Sequence, residues 1–124
     1  MEIKQGINGF NKRTDFTNTE KKYKQIFLKA EKNRYCVYCG VSEEACKKFF
    51  EKMEAKGIPS TRGGRRGYRL EVDRIDSTKP YAEGNCCLVC YVCNNAKSNF
   101  INSREMFQPI ADGIKKFWEI ALLY

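Results

Sequence analysis

Histidine is absent from all 124 residues. The commonest side-chain proton carrier near neutral pH is therefore missing, and so is the nitrogen ligand that zinc most often takes. No run of ~18 apolar residues occurs either, which excludes a helical membrane span. The opening MEIKQGINGFNKRTDF has no apolar leader stretch, so the expectation is an intracellular, cytoplasmic protein. Acids are in short supply, with 15 Asp and Glu against 23 Lys and Arg, for a net charge of +8. That balance suits a polyanionic partner, although a soluble, self-repelling surface has the same composition. What the chain has in plenty is cysteine. Seven is an odd number, and in a reducing compartment Cys-x-x-Cys pairs are more often metal ligands than disulfides. Thioredoxin-type redox chemistry would need a βαβ context, which the pattern lacks.

The length suits one compact domain. Residues 1–16 are polar and aperiodic and read as a mobile arm. Thr17 to Glu20 form a capping box, and Tyr23, Ile26, Phe27 and Ala30 follow at helical spacing with a basic outer face. RYCVYCG is a short turn-forming knuckle. A second helix runs from a Ser42 cap to Gly57, with Ala45, Phe49, Phe50 and Met53 as its apolar stripe. STRGGRRGYR, residues 60–69, places four arginines and three glycines in one loop, which suits phosphate contacts from Arg62, Arg65, Arg66 and Arg69. A merely solvated loop is the alternative. RLEVDRI and NCCLVC read as two short strands around the turn-rich DSTKPYAEGN. A helix begins near Tyr91, and residues 103–124 form a last one, with Phe107, Ile110, Ala111, Ile114, Phe117, Trp118, Ala121 and Leu122 at helical intervals.

Three Cys-x-x-Cys pairs can be written: Cys36–Cys39, Cys87–Cys90 and Cys90–Cys93. Residues three apart in a strand lie ~10 Å from each other and face opposite ways, so Cys87 and Cys90 cannot share an ion there. Cys90, at the strand end, and Cys93, in the first helical turn, can converge. With Cys36 and Cys39 they make two short thiolate pairs suited to a closed tetrahedral zinc site. Cys46, Cys86 and Cys87 are left as buried free thiols. Knuckle, hairpin and ligand-bearing helix together make a small α+β treble-clef zinc domain.

At ~100° per residue, Cys93, Ala96 and Phe100 face zinc and core, while Asn94, Lys97 and Ser98 occupy the neighbouring flank. A hairpin over that helix brings Asp73 towards Asn94. One carboxylate and one amide oxygen suit Mg²⁺ completed by water and phosphate.

The segment LEVDRIDSTKPYAEGNCCLVCYVCNNAKSNF resembles the core of HNH endonucleases, the ββα-metal class, in a four-cysteine zinc form. The resemblance covers residues 70–100 and, with CVYC, extends back to 36. It implies a zinc-bound ββα core over 36–100, a metal-dependent endonuclease acting on DNA by nicking or double-strand cleavage, and RNA as a second candidate partner. Carried over by position, it makes Asp73 and Asn94 ligands of a catalytic Mg²⁺ or Mn²⁺, and Asn85 the brace of the inter-strand loop. Lys97 becomes a nucleic-acid contact. The family's histidine base falls on Arg74, which stays protonated and cannot take the proton but can clamp a phosphate. The DRID form resembles a variant found in small phage-encoded HNH-like proteins. Two readings follow: a nuclease using Asp76 or a metal hydroxide as base, or an inactive nucleic-acid-binding module. A zinc-stabilised protein-interaction domain is a third. Taken singly, Asp73 and Asp76 can be partners of nearby cations, Asn85 a turn residue and Asn94 an exposed helix position; the common spacing is what joins them.

Overall fold

The computed structural model describes residues 34–58 and 66–124. The expected N-terminal arm and first helix, and two loop arginines, Arg62 and Arg65, lie outside those residues.

The chain enters at the knuckle, where Tyr35 bridges to Ser42. Cys36 donates its backbone N–H to Val41 O at 2.8 Å, and Gly40 donates to Cys36 O at 2.9 Å. Gly40 turns the corner with φ of 84°, a left-handed conformation that a Cβ would strain. Helix α1 follows, Glu43–Ala55. Ser42 Oγ accepts from Ala45 N at 3.0 Å, and Glu43 and Glu44 place negative charge in the first turn. The helix stops in a Schellman turn: Gly57 has φ of 76°, its N–H reaches Glu54 O, and Ile58 N–H reaches Met53 O.

Strands β1 (Glu71–Arg74) and β2 (Cys86–Val89) form an antiparallel pair in which Asp73 faces Cys87 and Arg74 faces Cys86. Alternation sends Glu71 and Asp73 to one side of β1, Val72 and Arg74 to the other. The knuckle hangs on this hairpin through Val37 N–H to Leu88 O, 2.8 Å. A single 3₁₀ turn, Glu83–Asn85, leads into β2. Helix α2, Tyr91–Lys97, starts directly after Cys90. It is shorter than the spacing argument assumed. Ser98 takes a left-handed φ of 55°, so Phe100 lies past the helix end and is exposed instead of facing the core; Lys97 takes the buried place.

Helix α3, Arg104–Ala121, is capped by Ser103, whose Oγ accepts from Met106 N at 3.1 Å. Pro109 lies inside it. Phe107, Ala111, Ile114, Trp118 and Ala121 are buried, whereas Ile110, Phe117 and Leu122, at the same helical intervals, stay 40%, 41% and 40% exposed because the apolar arc is wider than the face α3 buries. Trp118 meets Phe49 and Phe50 edge-on, and Tyr38 meets Phe107 likewise, joining α3 to α1 and to the knuckle. Phe50 also fills the space beside Gly67, where an added Cβ would come within 2.5 Å of its ring. The whole is a small α+β fold in which α2 packs against both β1 and α3.

Candidate active site and zinc centre

Four thiols converge as the spacing predicts. The Sγ atoms of Cys36, Cys39, Cys90 and Cys93 lie within 4.8 Å of one another, and all are buried. Cys39 and Cys90 Sγ are 3.7 Å apart, close to the ~3.8 Å edge of a tetrahedron with ~2.3 Å zinc–sulfur bonds. Contacts with Cys39, Cys90 and Cys93 pull the Cys36 thiol well below its ordinary value, while the Cys36 and Cys39 contacts push Cys90 and Cys93 up. The thiols of Cys36 and Cys39 are both drawn down while those of Cys90 and Cys93 resist ionising, a conflict that a dication removes. The donor set fits structural zinc. Burial pushes Cys87 and Cys46 up to about 12 each, which keeps them as neutral thiols outside the cage.

Beside the cage, the acidic face of β1 lies on α2. Asp73 is buried, and its Oδ2 stands 3.1 Å from Nζ of Lys97, itself fully buried. The same ammonium donates to Arg74 O at 2.9 Å, so one lysine fastens the end of β1 to the helix. Asn94 lies one turn earlier on α2, with its Nδ2 donating to Glu71 Oε1 at 2.7 Å. Among the described residues no second cluster of three metal-binding side chains exists. A divalent ion at Asp73 and Asn94 would therefore rest on few protein ligands and complete its shell with water or phosphate, the habit of Mg²⁺.

Arg74 projects from the other side of the strand. Its guanidinium lies over the Tyr81 ring at 4.8 Å, and Nη1 donates to Lys79 O at 3.1 Å. Its Nε is buried with no hydrogen-bond partner in the structure. Asn85 Nδ2 donates to Asp76 O and to Pro80 O, 3.0 Å each, and its Oδ1 accepts from Asp76 N at 3.0 Å. One amide side chain thus spans the inter-strand loop. Asp76 Oδ1 accepts from Thr78 Oγ1 at 2.6 Å and Thr78 N at 3.0 Å. The Thr78 hydroxyl, then its backbone N–H, hold the Asp76 carboxyl below the usual range.

Neither known family profiles nor curated protein sequences match the chain. A solved structure does. The chain is similar to the rare-cutting HNH restriction endonuclease PacI, with 27% identity, a TM-score of 0.60, and coverage of 90% of this chain and 70% of that one. The fold is of the HNH type. That protein's published description is of DNA perturbation.

Within this HNH-type fold, two residues expected to meet phosphate are otherwise engaged. Lys97 is sealed inside on Asp73, because α2 turns that flank onto β1 and not to solvent. Arg66 grips Glu71 and lies over the Tyr91 ring at 4.6 Å. Arg69 is exposed. Sequence reasoning passed over Glu71, although strand alternation puts a residue two before Asp73 on the same face. It also passed over Asn102, whose Oδ1 accepts from Ser77 Oγ at 2.8 Å and ties the inter-strand loop to the α2–α3 connection. No local signal marks Asn102, since the contact spans 25 positions.

Proposed function

We propose that this protein is a metal-dependent endonuclease that hydrolyses DNA phosphodiester bonds. The observation that carries the reading is the likeness to an HNH restriction endonuclease over 90% of this chain. Lys97 holds the Asp73 carboxylate and the Arg74 carbonyl on the helix that bears Asn94, at 3.1 Å and 2.9 Å. Likeness to a DNA-cutting HNH enzyme supports DNA over RNA. Asp73 and Asn94 would hold a Mg²⁺ or Mn²⁺ ion, which supplies Lewis acidity and an activated water. Arg74, held by Tyr81 and Lys79, offers its guanidinium to a non-bridging phosphate oxygen and keeps the scissile group in place. Asp76 is a poor base, because the Thr78 bonds that lower its carboxyl also weaken its pull on a proton.

A supercoiled-plasmid assay tests this. Zinc-loaded protein with Mg²⁺ or Mn²⁺ is expected to nick or linearise DNA, and Asp73→Ala to abolish cleavage while zinc content stays unchanged. Inactivity of the wild type with every divalent ion would leave a catalytically silent nucleic-acid-binding module. One observation favours that second reading: a buried ammonium already neutralises the Asp73 carboxylate.

A further inference from the structure

β1 carries a second buried acid that the reaction above leaves unused. Glu71, 3% exposed, stands two residues before Asp73 on the same strand face. Its Oε1 accepts from Asn94 Nδ2 at 2.7 Å. Arg66 grips both carboxylate oxygens, Nε to Oε2 at 2.9 Å and Nη2 to Oε1 at 2.7 Å. The guanidinium in turn lies 4.6 Å over the ring of Tyr91, the first residue of α2. Tyr91, Arg66, Glu71 and Asn94 thus form a closed circuit that leaves α2 and returns to it.

The circuit has a chemical direction. An amide offers a donor at one end and an acceptor at the other, while an ionised carboxylate only accepts. Glu71 can therefore take only the NH₂ end of Asn94, which turns the carbonyl oxygen away from it. Arg66 holds Glu71 in one rotamer by a two-point grip. A metal ion binds the carbonyl end of an amide and never its nitrogen.

We propose that Glu71, locked by Arg66, is a positioning residue that fixes the Asn94 amide so that Oδ1 is presented as a metal ligand. The proposal rests on the reading of Asn94 as a ligand given above. Partners one bond removed from a ligand typically change metal affinity by about 10–100-fold.

The test is Mn²⁺ binding to the zinc-loaded full chain, followed by the electron paramagnetic resonance signal of free Mn²⁺, with Asp73→Ala defining the site-specific part. Glu71→Gln is expected to weaken binding about tenfold or more, since a neutral amide can meet either end of Asn94. Asn94→Asp alone should also weaken binding, because the new carboxylate faces Glu71 where a donor stood. Glu71→Gln with Asn94→Asp should return binding close to wild type, the glutamine NH₂ now holding the new carboxylate. An ordinary structural ion pair would instead give losses that add. Additive losses, or wild-type affinity in Glu71→Gln, overturn the proposal and leave the metal site standing. Tighter binding by Asn94→Asp, which keeps Glu71 and Arg66 in place, overturns it too. Wild-type protein with no Asp73-dependent Mn²⁺ binding removes the metal site itself, and the role of Glu71 with it.

Discussion

Arg74, proposed above as the phosphate clamp, has surroundings built for a cation. The Tyr81 face takes the guanidinium and the Lys79 carbonyl takes Nη1, at 4.8 Å and 3.1 Å. An imidazole at this position is too short to reach both. Arg74→His is therefore expected to lower plasmid nicking below wild type, and Arg74→Ala to lower it about a hundredfold, the loss of ~3 kcal/mol of charge stabilisation at the phosphate. A nicking-rate comparison decides, and faster cleavage by Arg74→His would mark the native site as lacking its base. At this scale the sequence was informative wherever a residue's role follows from its neighbours in the chain. Asp73 at a strand end and Asn85 before a strand could be placed that way. The burial of Lys97 could not be read, because it depends on which way α2 rolls against β1.

At the scale of elements, the hairpin and α2 have little core of their own. Their order comes from the cage, which joins the knuckle to the start of α2 across 51 positions. Zinc affinity here is folding free energy. Cys93→Ser, or chelation of the metal, is expected to abolish zinc binding together with most of the ordered circular dichroism signal. Cys87→Ser should keep zinc, because the Cys87 sulfur lies 3.7 Å from both Tyr38 Oη and Asp73 O and is not one of the four clustered sulfurs. Metal analysis beside circular dichroism checks both. The cage was legible because strand and helix geometry allow only one of the overlapping pairs to converge. The limits of α2 and the buried face of α3 were not legible. Both follow from tertiary packing: a left-handed Ser98 ends the one, and α1 covers only part of the apolar arc of the other.

For the whole molecule, the excess of +8 sets how binding answers to salt. The sequence offers four arginines of the 60–69 segment as equivalent phosphate contacts, but Arg66 engages its fork on Glu71. Replacing Arg62 and Arg65 together is expected to flatten the dependence of log K on log salt by about two. Arg66→Ala should leave that slope unchanged and lower the melting temperature. Filter-binding titrations across a salt series, with a melting curve for each variant, separate the two effects, and a drop of about one in slope for Arg66→Ala would restore it as a phosphate contact. The cage also imposes an order on synthesis. Its first pair of sulfurs leaves the ribosome some fifty residues ahead of its second, and at ~5–20 residues per second that is a wait of several seconds. During it Cys36 and Cys39 are an unpaired half-site, open to oxidation or to the wrong ion. The tetrahedron closes only once Cys93 has emerged, and α3, made afterwards, then has a finished surface on which to fold.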